Sequence, residues 1–178
     1  MEPKISTKRI AVCAMIAAMY NVLILAVAMF MPALNYGMFQ VRIAESLTIL
    51  PVITPVAIWG VGLGCFIANL IGWLTGANPI GAIDTIVGTA ASIIAGIITY
   101  RLRNFRIRGW PIASALSPVI VNAIIIGLQL NIVFHGSFIP GAFITYALWV
   151  GLGQLIACVG LGLPLWRALE RTNILADV

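Results

Sequence analysis

Apolar residues fill most of the chain in long runs, and short clusters of proline, glycine and polar residues divide these runs into six segments. An apolar run of about 20 residues can cross the hydrocarbon core of a bilayer as an α-helix. The pattern therefore predicts an all-α integral membrane protein with six transmembrane helices, folded as one domain over residues 1–178. The predicted spans are residues 10–31, 41–53, 55–74, 80–101, 111–133 and 142–167.

The second predicted span is unusual because it holds fewer residues than a straight crossing needs. Residues 41–74 must contain two crossings joined near residues 53–55, so we expect one of them to be tilted, stunted or only partly membrane-deep. In the third span, Gly60 and Gly64 lie one helical turn apart, and this spacing predicts a close contact with another helix.

The composition of the chain excludes an ordinary water-soluble domain. Hydrophobic residues make up 62% of the 178 residues, and the mean hydropathy is +1.10, whereas a soluble domain must cover itself with polar surface. Lys4, Lys8 and Arg9 precede the first apolar run, as basic residues do in a signal peptide, but the run is longer than a signal core. We therefore expect this run to be retained as a helix.

The positions of the basic residues explain the net charge of +5. Nine of the ten form three clusters: Lys4, Lys8 and Arg9 before the first span; Arg101, Arg103, Arg106 and Arg108 between the fourth and fifth; Arg167 and Arg171 after the sixth. With six crossings the clusters share one side of the membrane, which the positive-inside rule makes cytoplasmic. Both termini are therefore predicted to be cytoplasmic, and no nucleic-acid partner is needed to explain the charge.

Three charged residues, Arg42, Glu45 and Asp84, fall inside the predicted membrane region. A charge there costs about 3 kcal/mol or more, so each of them is a candidate for a functional site. Arg42 and Glu45 lie three residues apart on one helix face, and an internal salt bridge that locks the second span is the simpler alternative. With a rise of about 1.5 Å per residue, Glu45 and Asp84 both lie about 6 Å inside the outer boundary.

Side-chain amides add polar groups at the same depth. Asn69 and Gln129 each lie about one turn from the outer ends of their spans, so four helices present a polar group at one level. This coincidence predicts a polar pocket open to the outside. Asn122 lies two turns from Gln129, Gln154 lies deeper in the sixth span, and Trp149 can stack on a flat ligand. Two alternatives stay open, since amides also join membrane helices and an interfacial aromatic belt also explains the tryptophan.

No motif for catalysis, a cofactor or a metal is visible in the sequence. His135 has no companion ligand, and the three cysteines lie in apolar runs at unrelated spacings. An intramembrane enzyme that used Glu45 and Asp84 as an acid–base pair would also need a nucleophile or a metal site. An ATPase motif is missing as well. We therefore predict a binding or transport protein that is not an enzyme and uses neither a cofactor nor a metal.

Ala14 and Ala18 lie one turn apart near the cytoplasmic end of the first span, in "AMIAA". Small residues at this spacing let a second helix approach closely. That helix can come from the same bundle or from another subunit, and the spacing alone leaves both alternatives open.

Four stretches of the chain, in order, resemble a known family: "FQVRIAESLTILPVITPVAIWGVGLGCFIANLIG", "IGAIDTIVGTAASIIAGIITYRLR", "PVIVNAIIIGLQL" and "YALWVGLGQLIACVGLGLPL". They resemble the queuosine-precursor (QueT) family of substrate-binding S components of energy-coupling factor (ECF) transporters. The resemblance implies a six-helix S-component bundle in the cytoplasmic membrane. It also implies a membrane scaffold subunit, on which Ala14 and Ala18 would dock, and two cytoplasmic ATPase subunits as partners.

The substrates that the resemblance implies are 7-deazaguanines: the aminomethyl or cyano precursors of queuosine, or queuine itself. Glu45 and Asp84 would accept hydrogen bonds from such a base, and side-chain amides would read its edges. The family often has acidic residues where this chain has Gln129 and Gln154, so the pocket is expected to be less negative here. An S component or another small-solute transporter for a different vitamin-like substrate is the alternative.

Overall fold

A computed structural model describes residues 6–36 and 40–172, and these residues form helices and turns without a β-strand. Lys4 of the first basic cluster and Phe39 of the first quoted stretch lie outside the described residues. The prediction of an all-α protein is confirmed. The helices are α1 (Thr7–Phe30), α2 (Pro32–Tyr36), a 3₁₀ helix (Ile43–Val52), α3 (Val56–Leu74), α4 (Ala82–Arg101), α5 (Ile112–His135), α6 (Pro140–Gln154), a π-helical turn (Leu155–Leu161) and α7 (Gly162–Thr172).

Five helical stretches in the described residues are long and apolar enough to cross a membrane. They are α1, α3, α4, α5 and the continuous 33-residue stretch Pro140–Thr172, which joins α6, the π turn and α7. The last stretch continues beyond residue 167, where the sequence pattern predicts its end. The remaining predicted span corresponds to the 3₁₀ helix, which has only ten residues.

The 3₁₀ helix lies inside the bundle rather than at its surface. Nine of its ten residues are buried, and it packs against α1, α3, α4, the π turn and α7. Because a 3₁₀ helix rises about 2.0 Å per residue, ten residues cover about 20 Å, against about 15 Å for an α-helix. Protein rather than lipid therefore surrounds this short segment, which is the setting in which irregular backbone is tolerated at membrane depth.

Glycines set the distance between α1 and α3. A methyl group added at Gly60 would lie 2.8 Å from Ile16 Cβ, and one added at Gly64 would lie 2.7 Å from Tyr20 Cβ. The predicted close contact of these two glycines with another helix is confirmed, and that helix is α1. Since both contacts advance together along the chain, α1 and α3 run in the same direction.

Neighbouring helices from α3 to α6 run antiparallel; in α3 and α4, for example, Gly62 meets Ile93 while Ile58 meets Gly96. Thr99 of α4 and Ser117 of α5 share a hydrogen bond of 2.6 Å. The turn between α5 and α6 is closed by Asn131, whose Nδ2 donates to the Ile139 carbonyl at 2.8 Å. The chain entering the 3₁₀ helix passes so close to α6 that a methyl group on Gly153 would overlap the carbonyl of Gln40.

Candidate ligand-binding site

Asp84 stands at the start of α4 and joins three parts of the chain. Its Oδ2 accepts a hydrogen bond from Asn78 Nδ2 at 2.8 Å, and its Oδ1 accepts one from Gln129 Nε2 of α5 at 3.2 Å. Asn78 also shapes the turn before α4, because its Oδ1 accepts the Ile80 backbone N–H at 3.0 Å. Asp84 is buried, and both of its oxygens are engaged.

Asn69, in α3, connects Asp84 to Arg42. Its Nδ2 donates to the backbone carbonyl of Asp84, and its Oδ1 accepts from Arg42 Nη2, both at 3.1 Å. This position depends on Gly88 of α4, where an added methyl group would lie 2.8 Å from Asn69 Nδ2. The glycine therefore makes room for the amide that bridges the aspartate and the arginine.

Glu45, in the 3₁₀ helix, holds the second buried carboxylate. Its Oε1 accepts a 2.6 Å hydrogen bond from the Tyr20 hydroxyl of α1 and lies 3.9 Å from Arg42 Nε. The pair Arg42 and Glu45 is thus close enough for an ion pair but too far apart for a hydrogen bond. The predicted salt bridge exists, yet Arg42 gives its hydrogen bond to Asn69 instead.

Gln154, at the end of α6, lies near the backbone of Glu45. Its Oε1 accepts from Cys158 Sγ at 3.2 Å, and the same thiol lies 3.5 Å from the Glu45 carbonyl. Thr48 Oγ1 donates to that carbonyl at 2.6 Å. Gln154 is therefore linked to the backbone of Glu45 rather than to its carboxylate.

Several buried polar atoms of these residues, and one of Thr85 next to Asp84, have no hydrogen-bond partner within residues 6–36 and 40–172. They are Arg42 Nε, Glu45 Oε2, Thr85 Oγ1 and Gln129 Oε1. A buried polar atom without a partner costs about 1–3 kcal/mol. A polar ligand with complementary groups would satisfy the free donor Arg42 Nε and the free acceptors Glu45 Oε2 and Gln129 Oε1.

Nearly the whole chain, including all of the buried polar residues described above, matches a known protein family. A family model described as QueT transporter matches residues 10–171. The chain belongs to the QueT transporter family. Neither a curated protein nor a solved structure matches the chain. The chain is accordingly a membrane transport protein and not an enzyme, as the sequence predicted.

In this QueT transporter the structure brings together five of the residues that were predicted to bind a substrate. Arg42, Glu45, Asn69, Asp84 and Gln129 form one cluster, and none of them is more than 6% exposed. The sequence predicts a pocket that is open to the outside. In the structure these side chains are buried, because they pair with one another. Their role toward a substrate stays a prediction.

The other three predicted substrate-binding residues are placed differently. Gln154 reaches the cluster through Cys158, as described above. Asn122 is buried in α5 and makes no side-chain hydrogen bond within the described part of the chain. Trp149 is 47% exposed on α6, so it is not buried with the cluster.

Two residues that hydrogen-bond to the cluster carry no obvious signal in the sequence of this QueT transporter. Tyr20 occupies an apolar helix face, where a tyrosine is common, and nothing local indicates that its hydroxyl meets Glu45. Asn78 stands before a proline in a turn, a position in which asparagine is usually explained by turn formation alone. Gly88, one turn after Asp84, is a sequence feature that could have indicated the close approach of Asn69 at this point.

The two alanines of the predicted docking face are exposed. Ala14 and Ala18 are exposed along α1, whereas Ile16, Ala17 and Tyr20 of the same helix are buried. The alternative that this pair packs inside the bundle is therefore wrong. Ala14 also lines an apolar groove of about 510 Å³ between the starts of α1 and α3, beside the exposed Trp59.

Proposed function

We propose that this chain is the substrate-specific S component of an ECF importer and that it captures a 7-deazaguanine precursor of queuosine outside the cell. The observation that supports this proposal is the buried cluster with its unused donor on Arg42 and unused acceptors on Glu45 and Gln129. A 7-deazaguanine carries adjacent ring N–H and amine donors and a carbonyl acceptor. Its hydrogen-bonding edge therefore complements the free atoms of the cluster.

Within this proposal the two carboxylates have different tasks. Glu45 has a free oxygen and accepts from the ring N–H and the exocyclic amine, since charge-assisted hydrogen bonds of this kind are strong. Asp84 already accepts from Asn78 and Gln129, so it orients those amides toward the ligand. Asn69 holds Arg42, which donates to the ligand carbonyl. We place Trp149 outside the site because of its exposure.

The proposed transport cycle needs partners, because the chain contains no ATPase motif. We propose six crossings, with the 3₁₀ helix as the second, and both termini in the cytoplasm. The substrate would be delivered by association with a membrane scaffold subunit and two cytoplasmic ATPase subunits. The exposure of Ala14 and Ala18 on α1 supports their proposed role as the docking face.

Calorimetric binding of 7-deazaguanines to the purified protein tests the proposed substrate. We expect Glu45→Gln to weaken binding of the aminomethyl or cyano precursor about tenfold or more, because a hydrogen bond to a charged group contributes about 1.5–3 kcal/mol. Glu170→Gln is the matched control, since Glu170 pairs with arginines in α7 and the turn between α4 and α5. It should leave affinity unchanged.

Two results would contradict the proposal. One is wild-type protein that binds riboflavin or biotin but none of the 7-deazaguanines, which would favour an S component for another vitamin. The other is unchanged affinity in Glu45→Gln, which would remove this carboxylate from the site.

A further inference from the structure

The turn between α4 and α5 ends in a tight two-residue hairpin. Ile107 and Trp110 exchange both backbone hydrogen bonds, at 2.9 and 3.0 Å. The two residues between them, Arg108 and Gly109, have φ angles of 52° and 82°. Such a turn favours asparagine or aspartate at its first position and glycine at its second. An arginine at the first position is disfavoured by the backbone, so its presence calls for a reason outside the local fold.

The hairpin is fixed to the last helix by charged and aromatic contacts. Arg106 Nη1 lies 2.6 Å from Glu170 Oε1, and its guanidinium lies 5.1 Å from the ring centre of Trp166. Trp166 in turn packs on Trp110 of the hairpin with 5.8 Å between ring centres. Arg167 also contacts both Glu170 and Trp110. The hairpin and α7 therefore form one surface with defined geometry.

This surface has a large excess of positive charge. It gathers six arginines, and Glu170 is the one acid among the described residues that pairs with any of them. The other four arginines have no ion pair within the described ranges. The six are Arg101, Arg103, Arg106, Arg108, Arg167 and Arg171. We call this set, with the hairpin, the basic surface.

Apolar side chains interrupt the arginines of the basic surface. Phe105 is 58% exposed, and Ile107 and Trp110 are also exposed. The hairpin joins the ends of two long apolar helices, so it lies where the bilayer core gives way to headgroups. At that level an apolar side chain inserts among acyl chains while a neighbouring guanidinium reaches phosphate oxygens, which it binds in a two-pronged geometry.

We propose that the basic surface binds the phosphate headgroup of an anionic membrane lipid. Arg108, at the tip of the hairpin, contacts the phosphate oxygens together with Arg101 and Arg171, which have no ion pair within the described ranges. Phe105 and Ile107 insert beside the lipid. Basic pockets at the cytoplasmic ends of membrane helices bind anionic headgroups in this way. Exposed apolar side chains between the arginines favour a lipid over an acidic protein surface.

Thermal unfolding of the full-length protein in nanodiscs tests this site. Nanodiscs of phosphatidylcholine alone are compared with nanodiscs that also contain phosphatidylglycerol. We expect the wild-type protein to unfold several degrees higher with phosphatidylglycerol. Arg108→Asn should remove at least half of that shift, yet unfold no lower than wild type in phosphatidylcholine, because asparagine suits this turn.

Lys8→Gln is the matched control, because it removes one positive charge from the first basic cluster, at the start of α1. It should keep nearly the whole phosphatidylglycerol shift. An equal loss in both variants would reduce the effect to general surface charge and overturn the site. The site would also be overturned if phosphatidylglycerol left the unfolding temperature of the wild-type protein unchanged. The same holds if inorganic phosphate raised that temperature equally in phosphatidylcholine nanodiscs. If Arg108→Asn does not fold, Arg171→Gln in α7 takes its place with the same expected loss.

Discussion

Polar side chains in the buried cluster satisfy only part of each other's hydrogen-bonding capacity. Glu45 is the clearest example, since Oε1 accepts from Tyr20 while Oε2 has no partner among the described residues. Such atoms carry a free-energy cost, and a ligand that supplies the missing partners stabilises the folded protein by its binding free energy. The same residues can therefore limit stability without ligand and provide affinity with it.

Tyr20→Phe tests the hydrogen bond that joins α1 to Glu45. The substitution keeps the ring between α1 and α3 but leaves the buried Oε1 with only the 3.9 Å contact to Arg42. We expect the free energy of unfolding to fall by about 1–3 kcal/mol, because a buried carboxylate oxygen loses its donor. Thermal or denaturant unfolding in detergent measures the change.

Tyr146→Phe serves as its control, since the Tyr146 hydroxyl makes no hydrogen bond within the described residues. Equal stability of Tyr20→Phe and the wild-type protein would mean that the 2.6 Å contact contributes little.

Some residues of the cluster are visible in the sequence and others are not. Arg42, Glu45 and Asp84 stand out because charges are rare and expensive in apolar segments. Tyr20 and Asn78 are equally close to those charges but have ordinary local explanations. A hydrogen bond between residues 25 positions apart depends on how helices pack, and the pattern of a single helix does not contain that information.

Among the helices, the contact between α1 and α3 leaves little space. Gly64→Ala would place a methyl group 2.7 Å from Tyr20 Cβ and 3.3 Å from Ala17 Cα, so the helices must separate. We expect a loss of about 1–3 kcal/mol in unfolding free energy, which is typical of overpacking. The shift of Tyr20 should also weaken ligand binding.

Gly141→Ala is the control for this substitution, because nothing lies within 4 Å of a methyl group at that helical position. It should be neutral or slightly stabilising, since alanine favours helix more than glycine does. A Gly64→Ala protein as stable as this control would show that the two helices can adjust.

The sequence predicts the long helices well and the short one poorly. Apolar runs near 20 residues indicate α3, α4 and α5 directly, since a bilayer sets their length. The segment Ile43–Val52 has only ten residues and mixes Glu45, Ser46 and Thr48 with apolar residues, so its pattern is too short to separate a 3₁₀ helix from an α-helix. The depth of Glu45, counted at the α-helical rise, therefore uses a rise that is about 0.5 Å per residue too small for this segment.

At the scale of the whole molecule, uptake and binding are separable in the proposed mechanism. Replacing both Ala14 and Ala18 with leucine adds bulk to an exposed face of α1 without entering the bundle. We expect ligand affinity to stay within about twofold of wild type, while ATP-driven uptake in reconstituted vesicles is lost because the scaffold subunit can no longer approach closely.

Ala90→Leu is the matched control, since Ala90 is an exposed alanine of α4. It should support normal uptake. Normal uptake by the Ala14 and Ala18 variant would show that α1 does not dock through this face, and lost binding would show that the substitutions disturb the bundle itself.

Composition and charge predict the class of the protein more easily than they predict its ligand or its partners. High hydropathy alone indicates a membrane protein, because it reflects the sum over all residues rather than any single contact. The proposed partners and the proposed ligand rest on a few exposed or buried side chains, such as Ala14 and Glu45, which contribute almost nothing to that sum. The family resemblance supplied what composition lacked.

The carbonyl of Gln40 against Gly153 has a consequence for how related chains can diverge. No side chain fits at position 153 while the backbone before the 3₁₀ helix keeps its path. Positions 129 and 154 meet the cluster with side chains alone, so an exchange of amide for acid there changes the charge and hydrogen bonding of the cluster without moving the backbone. Among homologues, we therefore expect glycine at 153 wherever the fold is kept, and different residues at 129 and 154 in proteins that bind different substrates.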